Sequence, residues 1–132
     1  MNISNDVNTT RPKIKSISPQ LVVADLERSL NFYTGELGFE IDFRYEDFYA
    51  GIIREGYTIH LKSGSPTVEE RANRLENEHL DLVFSVGNIQ DLFIAIKSSS
   101  VIIVQPLREM PYGMEFYITD PDGYILGFIE EK

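Results

Sequence analysis

The sequence predicts a single α+β domain made of two repeated strand–helix–strand–strand–strand modules, and three observations carry that prediction. Stretches with two-residue apolar alternation flank stretches whose apolar residues recur every three or four positions. The order of these stretches then repeats: Leu21-Val22-Val23-Ala24-Asp25-Leu26 lies opposite Phe84-Ser85-Val86-Gly87-Asn88-Ile89, and Tyr57-Thr58-Ile59-His60-Leu61 opposite Tyr124-Ile125-Leu126-Gly127-Phe128. Two copies suit a duplicated domain, because a solenoid needs more repeats to bury a core. Turn signals such as Asp120-Pro121-Asp122-Gly123 separate the strands, with Pro fixing φ and Gly accepting positive φ.

Lys13 to Ala24 is β-branched and apolar and reads as the first strand, interrupted or bent near Pro19. Asp25 follows as an N-cap, its carboxylate placed to accept from free backbone N–H groups. Arg28 stands where a capping box wants Glu, so half of that signature is present. Leu26, Leu30, Tyr33 and Leu37 form one helical face, and Gly35 and Gly38 end the helix. Phe39–Tyr45 alternates as a strand. Phe48–Arg54 and Tyr57–Lys62 follow, joined by a Glu55-Gly56 turn.

Ser63-Gly64-Ser65-Pro66 breaks the pattern, and residues 67–75 read as a short polar helix opening at Thr67. The second module restarts with a strand at Leu80–Val86. Asn88 is an N-cap candidate, Ile89, Leu92, Phe93 and Ile96 form a helical stripe, and Ser98-Ser99-Ser100 ends it. Strands at Val101–Val104, Met114–Thr119 and Tyr124–Ile129 complete the copy, with Arg108, Tyr112 and Pro111–Gly113 expected in a rim loop. The expected organisation is a loosely held tail at 1–13, a first module at 14–64, a linker at 65–78 and a second module at 79–132.

Composition narrows the function. The chain of 132 residues has a domain's length, and no apolar run reaches the ~18 residues of a membrane span. The polar start lacks a secretory pattern, so a cytoplasmic location is expected. The absence of cysteine excludes disulfides, thiolate metal sites and a cysteine nucleophile. A net charge of -9 without a basic patch argues against a nucleic-acid partner. No phosphate-cradling glycine loop or nucleophile elbow is present.

Two segments resemble a known family. Val23-Ala24-Asp25-Leu26-Glu27-Arg28-Ser29-Leu30-Asn31-Phe32-Tyr33-Thr34-Gly35-Glu36-Leu37-Gly38-Phe39 is similar to the V-x-D-L-x-x-S-x-x-F-Y-x-x-x-L-G-F opening of the vicinal oxygen chelate superfamily. Phe116-Tyr117-Ile118-Thr119-Asp120-Pro121-Asp122-Gly123 resembles its closing F-x-x-x-D-P-D-G turn. That superfamily contains glyoxalases, bleomycin-resistance proteins and extradiol dioxygenases. The resemblance implies curled mixed sheets around a cavity, and a homodimer. It also implies that metal-dependent members place ligands on the first and last strands of each module, which here are Ser18, His60, Asp81 and Gly127. Gly127 has no side chain and a lone serine is a poor ligand. His79, two residues before Asp81, shares its strand face.

Two functional expectations follow. The first is a metal-free binder of a small aromatic or cationic molecule, like the bleomycin-resistance proteins, with no cofactor and a role in antibiotic sequestration. Strand parity puts Thr58 and His60 on the cavity side, with Ile59 and Leu61 in the core. It likewise puts Ile125, Gly127 and Ile129 on the cavity side and Leu126 and Phe128 beneath a helix. The expected ligand-binding residues are Tyr117, His60, Thr58, Tyr45, His79, Asp81 and Tyr112. Tyr117, three before Asp120, resembles a substrate-contacting tyrosine of the fosfomycin-resistance branch. The alternative is a divergent lyase or dioxygenase holding Ni, Zn, Mn or Fe on His60, His79 and Asp81. The loss of a carboxylate at Gly127 weighs against the enzyme.

Overall fold

A computed structural model describes residues 11–66, 76–77 and 79–132. It contains strands β1 (Gln20–Val23), β2 (Glu40–Tyr45), β3 (Tyr49–Arg54) and β4 (Tyr57–Ser63), with helix α1 (Leu26–Gly35) after β1. The second module repeats the order with β5 (Leu82–Ser85), helix α2 (Ile89–Lys97), β6 (Ile102–Met110), β7 (Gly113–Thr119) and β8 (Ile125–Glu131). The sheets run β1-β4-β3-β2 and β5-β8-β7-β6. In each, the first strand pairs parallel with the last and the other pairings are antiparallel. The paired-module α+β architecture is therefore present as the repeat implied.

Local chemistry explains the boundaries. Asp25 caps α1, its Oδ1 accepting from the Arg28 N–H at 3.1 Å. Gly38, at φ +73°, ends the helix, and the Phe39 N–H returns to the Tyr33 carbonyl at 3.0 Å. Glu55 and Gly56 both adopt positive φ, the geometry that fits a tight hairpin to strand twist.

Three expectations change. The first strand begins at Gln20, not Lys13; residues 11–17 are exposed, and Pro19 interrupts any earlier pairing. The strand expected at Val101–Val104 runs on to Met110 by means of two register shifts, so Arg108 lies in β6 and only Pro111-Tyr112 forms the turn. Asn88 makes no side-chain cap; it sits at φ 51°, and Glu130 accepts from the N–H groups of Asn88 and Ile89 at 3.3 and 3.0 Å. The helix expected at 67–75 lies outside the described residues.

The helices cover one face of each sheet. Leu21, Val23, Ala50, Ile52, Ile59 and Leu61 meet Leu26, Leu30 and Tyr33 there, and Phe116, Ile118, Leu126 and Phe128 meet Ile89 and Ile96. Phe84, Phe128 and Phe116 stack at centroid distances of 4.9 and 5.0 Å, and Phe39 touches Phe84 across the modules. The strand parity read from the sequence agrees with this burial.

The two resemblance segments meet in space. Ser29 Oγ donates to Asp122 Oδ2 at 3.2 Å, and Tyr33 OH donates to Asp120 Oδ2 at 2.7 Å. The Ala24 N–H and Arg28 Nη2 both donate to Asp122 Oδ1, while Tyr124 OH donates to the Val22 carbonyl. Asp120 Oδ1 accepts from the N–H groups of Asp122 and Tyr124. Burial pushes the Asp120 carboxyl up to about 6, against the hydrogen bonds that favour its anion. These motifs fasten one module to the other. Among the described residues no helix is long and apolar enough to cross a membrane.

Candidate functional site

The site candidates lie on the helix-free face of each sheet, because alternation along a strand sends every second side chain there. In the first sheet these are Phe43 and Tyr45 on β2, Tyr49 and Gly51 on β3, and Thr58 and His60 on β4. Gly51 pairs with both Phe43 and His60. A Cβ on Gly51 would fall 2.1 Å from Phe43 Cε2, so only glycine lets that ring lie across β3. The ring then meets His60 edge-on at 5.2 Å and stacks with Tyr49 at 6.0 Å. Tyr45 and Phe48 extend this wall and remain 59% and 58% exposed.

The polar atoms on this face engage one another. Gln20 Nε2 donates to Tyr49 OH at 3.0 Å, and Tyr49 OH bonds His60 Nδ1 at 2.9 Å. Ser18 Oγ is hydrogen-bonded to Thr58 Oγ1. Two of the four positions implied as metal ligands, Ser18 and His60, thus have protein partners.

The second sheet carries a tighter cluster. Glu115 on β7 is fully buried, a position that strongly disfavours a carboxylate without donors. Arg108 supplies Nε at 2.8 Å and Nη2 at 2.6 Å to Oε2, Tyr117 OH donates to Oε2 at 2.8 Å, and Tyr112 OH donates to Oε1. Burial alone would raise the Glu115 carboxyl; the bonds from Tyr112, Arg108 and Tyr117 outweigh it and hold the group below its ordinary value. The hydrogen bond to Glu115, aided by desolvation, pushes Tyr112 up to about 12. Burial, then the same carboxylate, raises Tyr117. An anion with this many donors is a poor proton acceptor and a good anchor.

Tyr117 and Tyr112 therefore come together, as partners of one carboxylate. Asp81 lies ahead of β5, and its Oδ2 accepts from the Ile125 N–H at 2.8 Å. His79 is exposed beside it. His60 belongs to the other sheet, and among the described residues no three His, Asp or Glu side chains are grouped to hold a metal. At Gly127 a Cβ would lie 2.8 Å from Leu80 Cδ1 and 3.4 Å from Tyr117 Cδ1, so neighbours occupy the space a ligand side chain needs. Two shallow grooves, of about 310 and 380 Å³, lie away from these faces, one beside Arg28, Phe32 and Pro121 and one beside Asp25 and Asp47.

Sequence reasoning passed over Phe43, Tyr49, Gly51 and Glu115. Glu115 had a signal: a charged residue inside the apolar run Met114-Glu115-Phe116-Tyr117-Ile118, in phase with Tyr117. Phe43 and Tyr49 had none beyond parity, because a ring reads alike in a core and in a site.

Fold and faces together define a paired β-α-β-β-β protein whose two sheets each present a helix-free surface. The sequence profile of the Glyoxalase/Bleomycin resistance protein/Dioxygenase superfamily matches residues 13–128. The chain belongs to that superfamily. It is 27% identical over 128 residues to a lactoylglutathione lyase of Neisseria meningitidis serogroup A, covering 90% of this chain and 92% of the lyase. Among solved structures, it superposes on the bleomycin-binding protein of Streptomyces verticillus, complexed with copper(II)-bleomycin. The TM-score is 0.66 at 20% identity, over 92% of this chain and 100% of that one. TnmS3, an antibiotic-binding protein from Streptomyces sp. CB03234, gives a TM-score of 0.68 at 16% identity with the same coverage.

Proposed function

We propose that this chain binds a small, planar aromatic molecule against its helix-free faces without a metal, as a sequestering protein and not a lyase. The observation that carries the reading is the donor set at the four strand positions. Ser18, His60 and Asp81 engage protein partners, and the fourth position is Gly127, packed by Leu80 and Tyr117. A catalytic metal commonly takes three protein ligands and keeps one position open, and these residues fit that requirement poorly. The aromatic wall supports an aromatic ligand, since rings stack at little entropic cost. Such rings also accept a cation, but Arg108 on the second sheet disfavours one there. The likeness to two antibiotic-binding structures agrees with this reading.

We further propose a homodimer, in which one copy's faces would be completed by the other's. The exposed apolar residues Ile14 (74%), Ile17 (83%), Tyr45 and Phe48 support it. The lyase likeness favours the second reading, a divergent metal enzyme on His60, His79 and Asp81.

Metal analysis of the purified protein, with calorimetric titration of 1-naphthamide as a neutral aromatic probe, separates the two. The binding reading expects substoichiometric metal and saturable probe binding that weakens by about tenfold in Phe43→Ala, the loss of one stacked ring. Stoichiometric Ni, Zn, Mn or Fe that is lost in His60→Ala would overturn it.

A further inference from the structure

We infer that the segment Arg11–Ile17 is a docking arm, which adds as an extra strand to the open edge of β2 in a second copy of the chain; this rests on the homodimer proposed above and names the surfaces that form it. Residues 11–17 are exposed throughout, Ile14 and Ile17 by 74% and 83%. None of them bonds another described residue. Fully extended, a segment of this length reaches about 23 Å, enough to pair along a whole strand. It also gathers charge: Arg11, Lys13 and Lys15 are three of the 12 cations on a chain with 21 acids. The arm is basic and apolar while the rest of the chain is acidic, so its electrostatic complement is the surface of another copy.

The sheet edges select the docking site. The first sheet ends at β1 on one side and at β2 on the other. The β1 edge is closed by the second module: Tyr124 OH accepts from the Val22 N–H and donates to its carbonyl, and Asp122 accepts from the Ala24 N–H. β2 pairs only with β3, which leaves its outer row of N–H and C=O groups as a template for another strand. The edge strand β6 of the second sheet is blunted by Pro106 and two register shifts. Side chains then fix the occupant. On β2, Glu40 and Asp42 flank Ile41; all three are exposed, and neither acid has an ion-pair partner among the described residues. On the arm, Lys13 and Lys15 flank Ile14. Strand side chains alternate, so centring Ile14 on Ile41 sets both lysines beside both acids in either strand direction. A second β2 edge would set acid against acid, so the same charges exclude β2 from pairing with itself. The arm runs into β1, and its own β2 lies at the far edge of the sheet, so the edge it meets is another copy's. Reciprocal exchange closes a two-fold dimer. Because β2 also carries Phe43 and Tyr45, the docked arm borders the aromatic wall.

The test is a charge swap in trans, read by sedimentation velocity of the full chain over a range of concentrations. The two proteins are Lys13→Glu/Lys15→Glu, with a reversed arm, and Glu40→Lys/Asp42→Lys, with a reversed edge. Each opposed pair is worth up to about fivefold in affinity, and the two-fold axis repeats both pairs, so either variant alone should raise the dimer dissociation constant by at least about tenfold. In an equal mixture every arm meets a complementary edge on the other variant, and dimers should return at the wild-type affinity. All the substituted positions are exposed, so circular dichroism should show each variant folded. Ile14→Asp, which alters the arm alone, should also weaken the dimer. An equal mixture that stays monomeric, or a dissociation constant unchanged in Ile14→Asp or in either charge variant, overturns the inference and leaves the homodimer standing. A wild type that is monomeric at every concentration overturns both.

Discussion

Asp120→Asn tests the interlock between the modules. Asp120 is 5% exposed, and its folded carboxyl sits at about 6 where the ordinary value is 3.8. The unfolded chain therefore releases this proton near pH 4, while the folded chain keeps it to about pH 6. The group favours folding most below pH 4 and loses that contribution as pH rises through 6. A displacement from 3.8 to about 6 corresponds to about 3 kcal/mol. The asparagine keeps an oxygen for the N–H groups of Asp122 and Tyr124, and its amide can donate to the Tyr33 oxygen. Glu115 contributes with the opposite sign, since a carboxyl held below its ordinary value adds stability at higher pH and loses it as pH falls. Both proteins retain Glu115, so their difference isolates Asp120. Urea unfolding of wild type and variant at pH 4, 5, 6 and 7 should show the variant gaining on the wild type by about 3 kcal/mol across that range. Parallel curves would refute the reasoning.

Two further outcomes follow from the structure. Removing the Glu130 carboxylate in Glu130→Ala should lower stability by about 1 kcal/mol, the usual worth of a helix cap, and speed amide exchange at Asn88 and Ile89; unchanged exchange there would place the cap elsewhere. Gly113→Ala should cost at least about 2 kcal/mol in thermal unfolding. Its Cβ would meet the Glu130 carbonyl oxygen at 2.1 Å, from a residue at φ +147°, and backbone cannot step aside as a flexible side chain can.

The fold was readable from the chain because its signals are local. Asp25 caps a helix through its own carboxylate, Gly38 ends that helix through its own φ, and alternation in Tyr57–Lys62 assigns Ile59 and Leu61 to the core. Where the signal was not local, the reading failed. The N-terminus of α2 is capped by Glu130, 41 residues beyond Ile89, so Asn88 looked like a cap and is not one. The strand at Val101 extends through Pro106 because register shifts absorb the irregularity, which propensity alone does not foresee.

The strand faces, with His60, Thr58 and Tyr117 on the helix-free sides, were determined by the sequence, since a period of two is a property of the chain itself. The paired-module architecture followed from the repeat in the same way. Which polar atoms find partners was decided only by tertiary structure. Glu115 needs Arg108 from the neighbouring strand and Tyr112 from the turn, His60 needs Tyr49, and Asp120 needs Tyr33 from the other module. A hydrogen bond depends on a few tenths of an ångström between groups far apart in the chain, and no periodicity carries that distance.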